Sequence, residues 1–257
     1  MFSLPRRNLM HLAQPPVSNN STDALHAQQV LLFAMATLAE LRDSDTESHL
    51  VRVQRYVRLL ASQLASQSIH AGALTPAHIE ALVSSVPFYD MGTVGVPDRV
   101  LLKPGRLSPD ELAIMRTHPT LGHAAVVQAE KTLGRASPLL ELIKELTLSH
   151  HEKWSGKGYP QGLAGAAIPL SARIVALADV YDALIGNKVY KDGISHDAAV
   201  LVIAGERGAH FDPDVVDAFM AVSSEFAAIA RNHADTDEDM QQKIEYLANA
   251  IAEHTEL

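Results

Sequence analysis

The chain contains no cysteine. That removes disulfides from the fold and thiolates from any metal site, so a bound metal would have to be held by nitrogen and oxygen. No apolar run reaches the roughly 18 residues that a membrane-spanning helix requires, and residues 1–14 lack the apolar core of a secretory signal. The expectation is a cytoplasmic protein without a membrane span. A basic excess is missing too: 21 Lys and Arg stand against 30 Asp and Glu, a formal charge of -9. This argues against a protein that wraps nucleic acid, because phosphate backbones are met by a basic surface. A small anionic ligand remains compatible if metals or a few Lys and Arg gather locally. Neither an alternating strand pattern nor an internal repeat is visible.

What is present is an ordinary globular composition, 257 residues with 47% apolar content, enough for a sizeable core. Residues 15–22 are rich in Pro, Ser and Asn, which predicts a flexible segment over residues 1–23 and a helical domain over 24–257. Apolar residues recur at helical spacing over 26–41 and again from Val51 to Leu60. Thr75-Pro76 reads as an N-cap with proline in the first helical position, and Pro87 should kink or break that helix just before Tyr89-Asp90. Ser108-Pro109-Asp110-Glu111 is a capping box that predicts a helix carrying His118 near its C-terminal end. Further helices are expected over 139–148, leading into His150-His151, and over 172–184, 197–204, 214–230 and 240–252. Residues 152–169 change to Gly, Pro, Lys and Ser, the composition of an irregular loop. The class is all-α.

With 13 histidines and no thiol, the chemistry-bearing candidates are His49 with Arg52, Tyr89-Asp90, His118, His150-His151, and Asp179 with Asp182. All but Arg52 and Tyr89 are imidazoles or carboxylates, the ligands that suit iron, manganese or zinc. Asp179 lies in so apolar a helix that its carboxylate should be buried, and a buried carboxylate needs a cation or strong hydrogen bonds. A metal would supply that cation; Arg173 or Arg52 would be the alternative partner. The plain readings stand beside these: a lone histidine is usually an ordinary surface or core residue, Arg52 a surface charge, Lys157 a loop solvator and Trp154 core.

Sequence resemblance sharpens this. His150-His-Glu-Lys-Trp-Ser-Gly-Lys-Gly-Tyr-Pro-Gln-Gly-Leu, followed by Ile168-Pro-Leu-Ser-Ala-Arg-Ile-Val-Ala-Leu-Ala-Asp-Val-Tyr-Asp-Ala-Leu, resembles the HD-GYP signature, with Gly158-Tyr159-Pro160 as the GYP itself. The similarity extends through Gly95-Val-Pro-Asp, Leu102-Lys-Pro-Gly-Arg-Leu, Thr117-His-Pro-Thr-Leu-Gly and Gly208-Ala-His-Phe-Asp-Pro. The resemblance implies an HD-domain-like helical bundle around a metal site with an irregular GYP loop, holding two or three metals, usually iron or manganese, and hydrolysing cyclic di-GMP. One metal would use His49, Tyr89 in place of a histidine, Asp90 and Asp179; a second would use His118, His150 and His151, with Asp90 bridging and serving catalysis. Asp45 stands near a third-metal position of some members. Tyr159, Lys188 and Lys191 would meet the ligand.

The departures are as informative. Where the family reads like Leu-Leu-His-Asp-Ile-Gly-Lys, this chain has Pro87-Phe-Tyr-Asp-Met-Gly-Thr93, a YD-GYP variant. The first metal loses a ligand, so that retention of only one ion of two becomes an expectation to test, and the phosphate loses a cation. Tyr89 could ligate as a phenolate; nothing else in the sequence requires one, which favours simple packing as an aromatic helix end. Pro87 could also displace Asp90. The leading expectation is a phosphodiesterase-type domain acting on or binding cyclic di-GMP with reduced turnover. Its rivals are an inactive signalling module that senses the nucleotide or binds partner proteins, and a hydrolase of another nucleotide.

Overall fold

A small polar residue followed by proline opens one helix after another. A computed structural model of the chain describes Val30, Ala34 and Met35, and residues 47–245 except 68–69, 104, 135, 187–192 and 242. Helix α1 spans Glu47–Ala65 and α2 spans Pro76–Ser85, capped by the Thr75 side chain, which accepts from the His78 amide. Two short 3-10 turns follow, Val86–Phe88 and Met91–Gly95, then α3 (Asp98–Leu101) and α4 (Pro109–Met115), whose capping box is formed as expected. Then come α5 (His118–Leu133), α6 (Pro138–Ser149), a 3-10 turn at Gly165–Ala167, α7 (Leu170–Ile185) and α8 (His196–Gly205). Last in this order are α9 (Pro213–Ala221) and α10 (Ser223–Asn232). Proline suits the first turn of α2, α4, α6 and α9 because the amide it lacks would have no intrahelical partner there.

Two helix boundaries differ from the sequence reading. His118 does not end the capping-box helix but opens the next one. Pro119 explains this, since proline offers no amide to the preceding turn and suits the first turn of a new helix. The expected helix over 214–230 is divided at Val222 (φ -124°, ψ 20°) into α9 and α10. Ser223 and Ser224, weak helix-interior residues, lie at that break. The expected break at Pro87 is found, with α2 ending at Ser85.

Helix α1 runs through the core: Val53, Tyr56, Val57, Leu60, Ala61 and Leu64 are fully buried at helical spacing, and it packs against α2, α7, α9 and α10. Four aromatic rings lock these elements together. Phe226 stacks on Tyr56 at 4.4 Å and meets Tyr181 and Phe219 edge-on at 5.0 and 4.9 Å. Helices α5 and α6 pair beside this bundle, with the Met91–Gly95 turn laid against α5. Among the described residues there are no strands, only two isolated bridges, and no helix is long and apolar enough to cross a membrane. The all-α class holds. Of the helix expected over 26–41, only Val30, Ala34 and Met35 are described, all helical; the domain boundary near residue 24 and Asp45 fall outside the described residues.

Phe226→Ala should cost about 3–5 kcal/mol in denaturant unfolding, as for other buried aromatics. Leu201→Ala, at a site 74% exposed, should stay within about 0.5 kcal/mol of the wild type. Equal effects would mean that the ring cluster is not the centre of the core.

Candidate metal centre and ligand loop

The start of α5, the end of α6 and the turn after Pro87 meet at one point. His118 donates its Nδ1 proton to the Met115 carbonyl (2.7 Å), and His150, the C-cap of α6, donates its own to the Leu146 carbonyl (2.8 Å). A carbonyl can only accept, so in the neutral rings both Nε2 atoms are left as bare acceptors. They face each other at 3.3 Å. Asp90 Oδ1 joins them, 3.2 Å from His118 Nε2 and 3.8 Å from His150 Nε2, and His151 completes a trio whose ligand atoms lie within 4.8 Å of one another. Burial, with His118 close by, pushes His150 down to about 3, and burial with His150, His118, His210 and Lys153 nearby holds His151 well below the usual imidazole range. Neutral nitrogens and a carboxylate converging in this way fit a divalent cation.

In the other half of the cluster the Tyr89 hydroxyl stands between His49 and Asp179. His49, in the first turn of α1, donates Nδ1–H to Asp182 Oδ2 (2.8 Å), which leaves its Nε2 facing the Tyr89 hydroxyl at 3.0 Å. That hydroxyl donates to Asp179 Oδ1 at 2.7 Å. Here the structure corrects the reading of Asp179. Its side chain is 23% exposed, facing the site, and neither Arg52 nor Arg173 pairs with it among the contacts described. The buried carboxylate is Asp182, one turn on, which takes Arg52 Nε and Nη2 at 2.7 and 2.8 Å. Arg52 is therefore no surface charge. Burial works to raise the Asp182 carboxyl, but the hydrogen bonds from His49 and Arg52 outweigh it and hold it below the ordinary range. Arg173 pairs instead with Asp212 and covers the half-buried Trp154 ring at 5.7 Å.

Tyr89 is 3% exposed and part of the core, so it packs as an aromatic helix end and also carries its hydroxyl to the site. Pro87 does not displace Asp90, which lies against His118. The turn is held close by Gly92, where a Cβ would sit 2.0 Å from the His118 carbonyl oxygen. Thr93, 4% exposed, donates Oγ1–H to the Asp90 carbonyl at 2.9 Å. At the ligand loop, Glu152 is buried and accepts from the amides of Gln161 (2.7 Å), Gly162 (3.1 Å) and Leu163 (3.0 Å). Gly158 is required by close approach: a Cβ there would meet Lys153 N at 2.3 Å. Tyr159 stacks on His151, ring centroids 4.8 Å apart. Lys188 and Lys191 lie outside the described residues.

A family model described as the HD domain matches residues 34–215. The chain belongs to the HD domain family. Its Gly158-Tyr159-Pro160 puts it in the HD-GYP branch, as a variant with Tyr89 in the first position of the HD pair. Relatives of this HD domain in Vibrio cholerae serotype O1 include a probable cyclic di-GMP phosphodiesterase, 48% identical over 83% of the chain and 48% of the relative, and a cyclic di-GMP phosphodiesterase, also 48% identical, over 85% and 46%. The chain thus spans about half the length of these curated relatives. A cyclic di-GMP phosphodiesterase of Thermotoga maritima is 34% identical over 80% of the chain and 52% of the relative. A solved cyclic GMP-AMP-specific phosphodiesterase from Vibrio cholerae superposes with a TM-score of 0.50 over 86% of the chain and 58% of that structure, at 19% identity, a likeness of fold.

Sequence reasoning gave Glu152 no role and left Asp182 without a partner. Both had a signal. His49 and Arg52 stand one turn apart on α1, as Asp179 and Asp182 do on α7, so two matched pairs could face each other. Glu152 directly follows two histidines and precedes a loop rich in unpaired amides. Glu152→Ala should strip those three amides of their acceptor and cost about 1–3 kcal/mol. Amide exchange at 161–163 should speed up, while α1 amides exchange as in the wild type; unchanged loop exchange would show that Glu152 does not hold the loop.

Proposed function

We propose that this domain holds one divalent ion, iron or manganese, through His118, His150, His151 and Asp90, and that it binds cyclic di-GMP as a phosphodiesterase-type domain of reduced turnover. The observation that carries the reading is the pair of bare Nε2 atoms at 3.3 Å beside the Asp90 carboxylate. The names of the relatives supply the substrate class. When bound, the ion supplies Lewis acidity toward a phosphodiester. The chain's own residues do the rest. The Met115 and Leu146 carbonyls keep two imidazoles in the ligating tautomer. Asp90 adds the negative charge that selects a cation, and the half-buried Tyr159 offers a face for stacking a base.

Reduced turnover follows from the other half. The Tyr89 hydroxyl fills the space between His49 Nε2 and Asp179 Oδ1, atoms 4.0 Å apart, where the family resemblance expects a first ion. Thr93 turns its hydroxyl back to the chain, so that position offers no charge to a developing oxyanion. The second reading, an inactive module that senses the nucleotide, is favoured by the same closure by Tyr89.

Protein loaded with Fe(II) or Mn(II) under reducing conditions should carry a single ion per chain by elemental analysis and hydrolyse cyclic di-GMP slowly in the same preparation. His150→Ala should lose the ion, and with it the added melting stability that a ligand at about a hundred times its Kd confers, about 2.7 kcal/mol. Tyr89→His should admit a second ion and raise turnover by roughly tenfold or more. Wild-type protein without stoichiometric metal would overturn the reading. Two ions with rapid turnover would make Tyr89 a working phenolate ligand, visible as an absorption band lost in Tyr89→Phe. Binding without any hydrolysis, even in Tyr89→His, would favour the sensor.

A further inference from the structure

Arg52, Arg58, Arg173 and Arg207 each commit their guanidinium to a carboxylate, those of Asp182, Glu80, Asp212 and Asp217. Arg116 does not. It is exposed at the C-cap of α4, makes no ion pair with a described carboxylate, and lies over the Tyr159 ring with its guanidinium carbon 5.1 Å from the centroid. The Tyr159 ring in turn stacks on His151, and His151 meets His118 edge-on at 4.9 Å. A guanidinium, a phenol and an imidazole thus form a ladder from the surface down to the acceptor cluster. The break that Pro119 imposes between α4 and α5 aims both ends of this ladder: it opens α5 with His118 and leaves Arg116, two residues earlier, over the loop.

The surroundings make that cation informative. Asp90 and Asp179 both face the site with about a quarter of each side chain exposed, and the chain carries a formal charge of -9, so an anionic ligand meets a repelling field unless a local cation offsets it. Arginine suits the task, because its planar fork matches two oxygens of a phosphate where lysine offers a point charge. Resting on an aromatic face also restricts the side chain before any ligand arrives, which lowers the ordering cost of binding. We propose that Arg116 is a ligand-positioning residue of this site, its guanidinium taking the non-bridging oxygens of a phosphodiester whose base meets Tyr159. The proposal rests on the reading of the site as one for an anionic dinucleotide and extends it to a residue that touches no candidate metal ligand.

Calorimetry of the metal-loaded chain with cyclic di-GMP, cyclic di-AMP and pyrophosphate tests this. Arg116→Ala should weaken all three by a similar factor, about tenfold to a hundredfold, as expected for one lost charge-assisted contact. Arg116→Lys should recover only part of the loss. Metal content and melting temperature should match the wild type in both variants, which separates ligand positioning from a structural role for the stacked pair. Affinities within twofold of the wild type would overturn the proposal. Selective loss of cyclic di-GMP would overturn it in favour of guanine recognition, since arginine also pairs with the O6/N7 edge. Wild-type protein that binds pyrophosphate through Arg116 but neither dinucleotide would sustain the phosphate contact and sink the dinucleotide reading. Protein that takes up none of the three would sink both.

Discussion

Met115 and Leu146 each present a backbone carbonyl that takes the Nδ1 proton of a histidine, and the consequences run through the whole centre. His118 and His150 are thereby fixed in the tautomer that leaves Nε2 bare, and the helix ends that carry them bring those atoms to 3.3 Å. Two lone pairs and a carboxylate oxygen at that range repel one another unless a cation stands among them. Burial forecloses the simplest relief, protonating His150, because it pushes that imidazole down to about 3. The same packing suits this group of acceptors to a divalent ion.

Across Asp90 the logic is reversed. Asp179 takes the Tyr89 hydroxyl proton and Asp182 takes the His49 Nδ1 proton, with the phenol oxygen 3.0 Å from His49 Nε2, while Arg52 holds Asp182 from behind. Arg52 in turn reaches Asp235 Oδ1 and the His233 carbonyl, both at 3.0 Å, tying the helix that carries His49 to the chain beyond α10. A buried carboxylate left without its arginine is a large penalty, so this half is built to be rigid. One substitution in the name-giving pair thus separates two halves that the resemblance would make alike: one a group of converging acceptors, the other occupied by a hydroxyl.

Much of this was legible in the residues. The Thr75-Pro76 cap, the capping box at Ser108, the break at Pro87 and the irregular stretch after His151 are local effects of short-range chemistry, and each is found in place. His118, His150, His151 and Asp90 do converge, which periodicity alone could not have told; the ordered motifs did. Two of the failures share a cause. Asp179 and Asp182 sit one turn apart on an apolar helix, and nothing in α7 itself says which one turns inward, because that depends on where α1 brings Arg52. Nothing in the sequence singles out Arg116; the fold sets the Tyr159 ring beneath it. The run over 214–230 read as continuous because its apolar period survives the break at Val222. For Asp182 and Arg116 the deciding contacts come from distant segments, which the pattern within one segment does not encode.

The central claim is that His118 and His150 are locked with Nδ1 protonated and Nε2 bare, forming an acceptor cluster that takes a cation. Long-range nitrogen–proton correlation spectra of the imidazole rings read this directly in metal-free protein at neutral pH, before and after addition of diamagnetic Zn2+ as a stand-in for the ion. The account predicts neutral rings with the proton on Nδ1 at both residues, and Zn2+-induced shifts confined largely to their Nε2 signals and to His151. An imidazolium or an Nε2–H tautomer at either residue, or Nε2 signals that ignore the added ion, would contradict it.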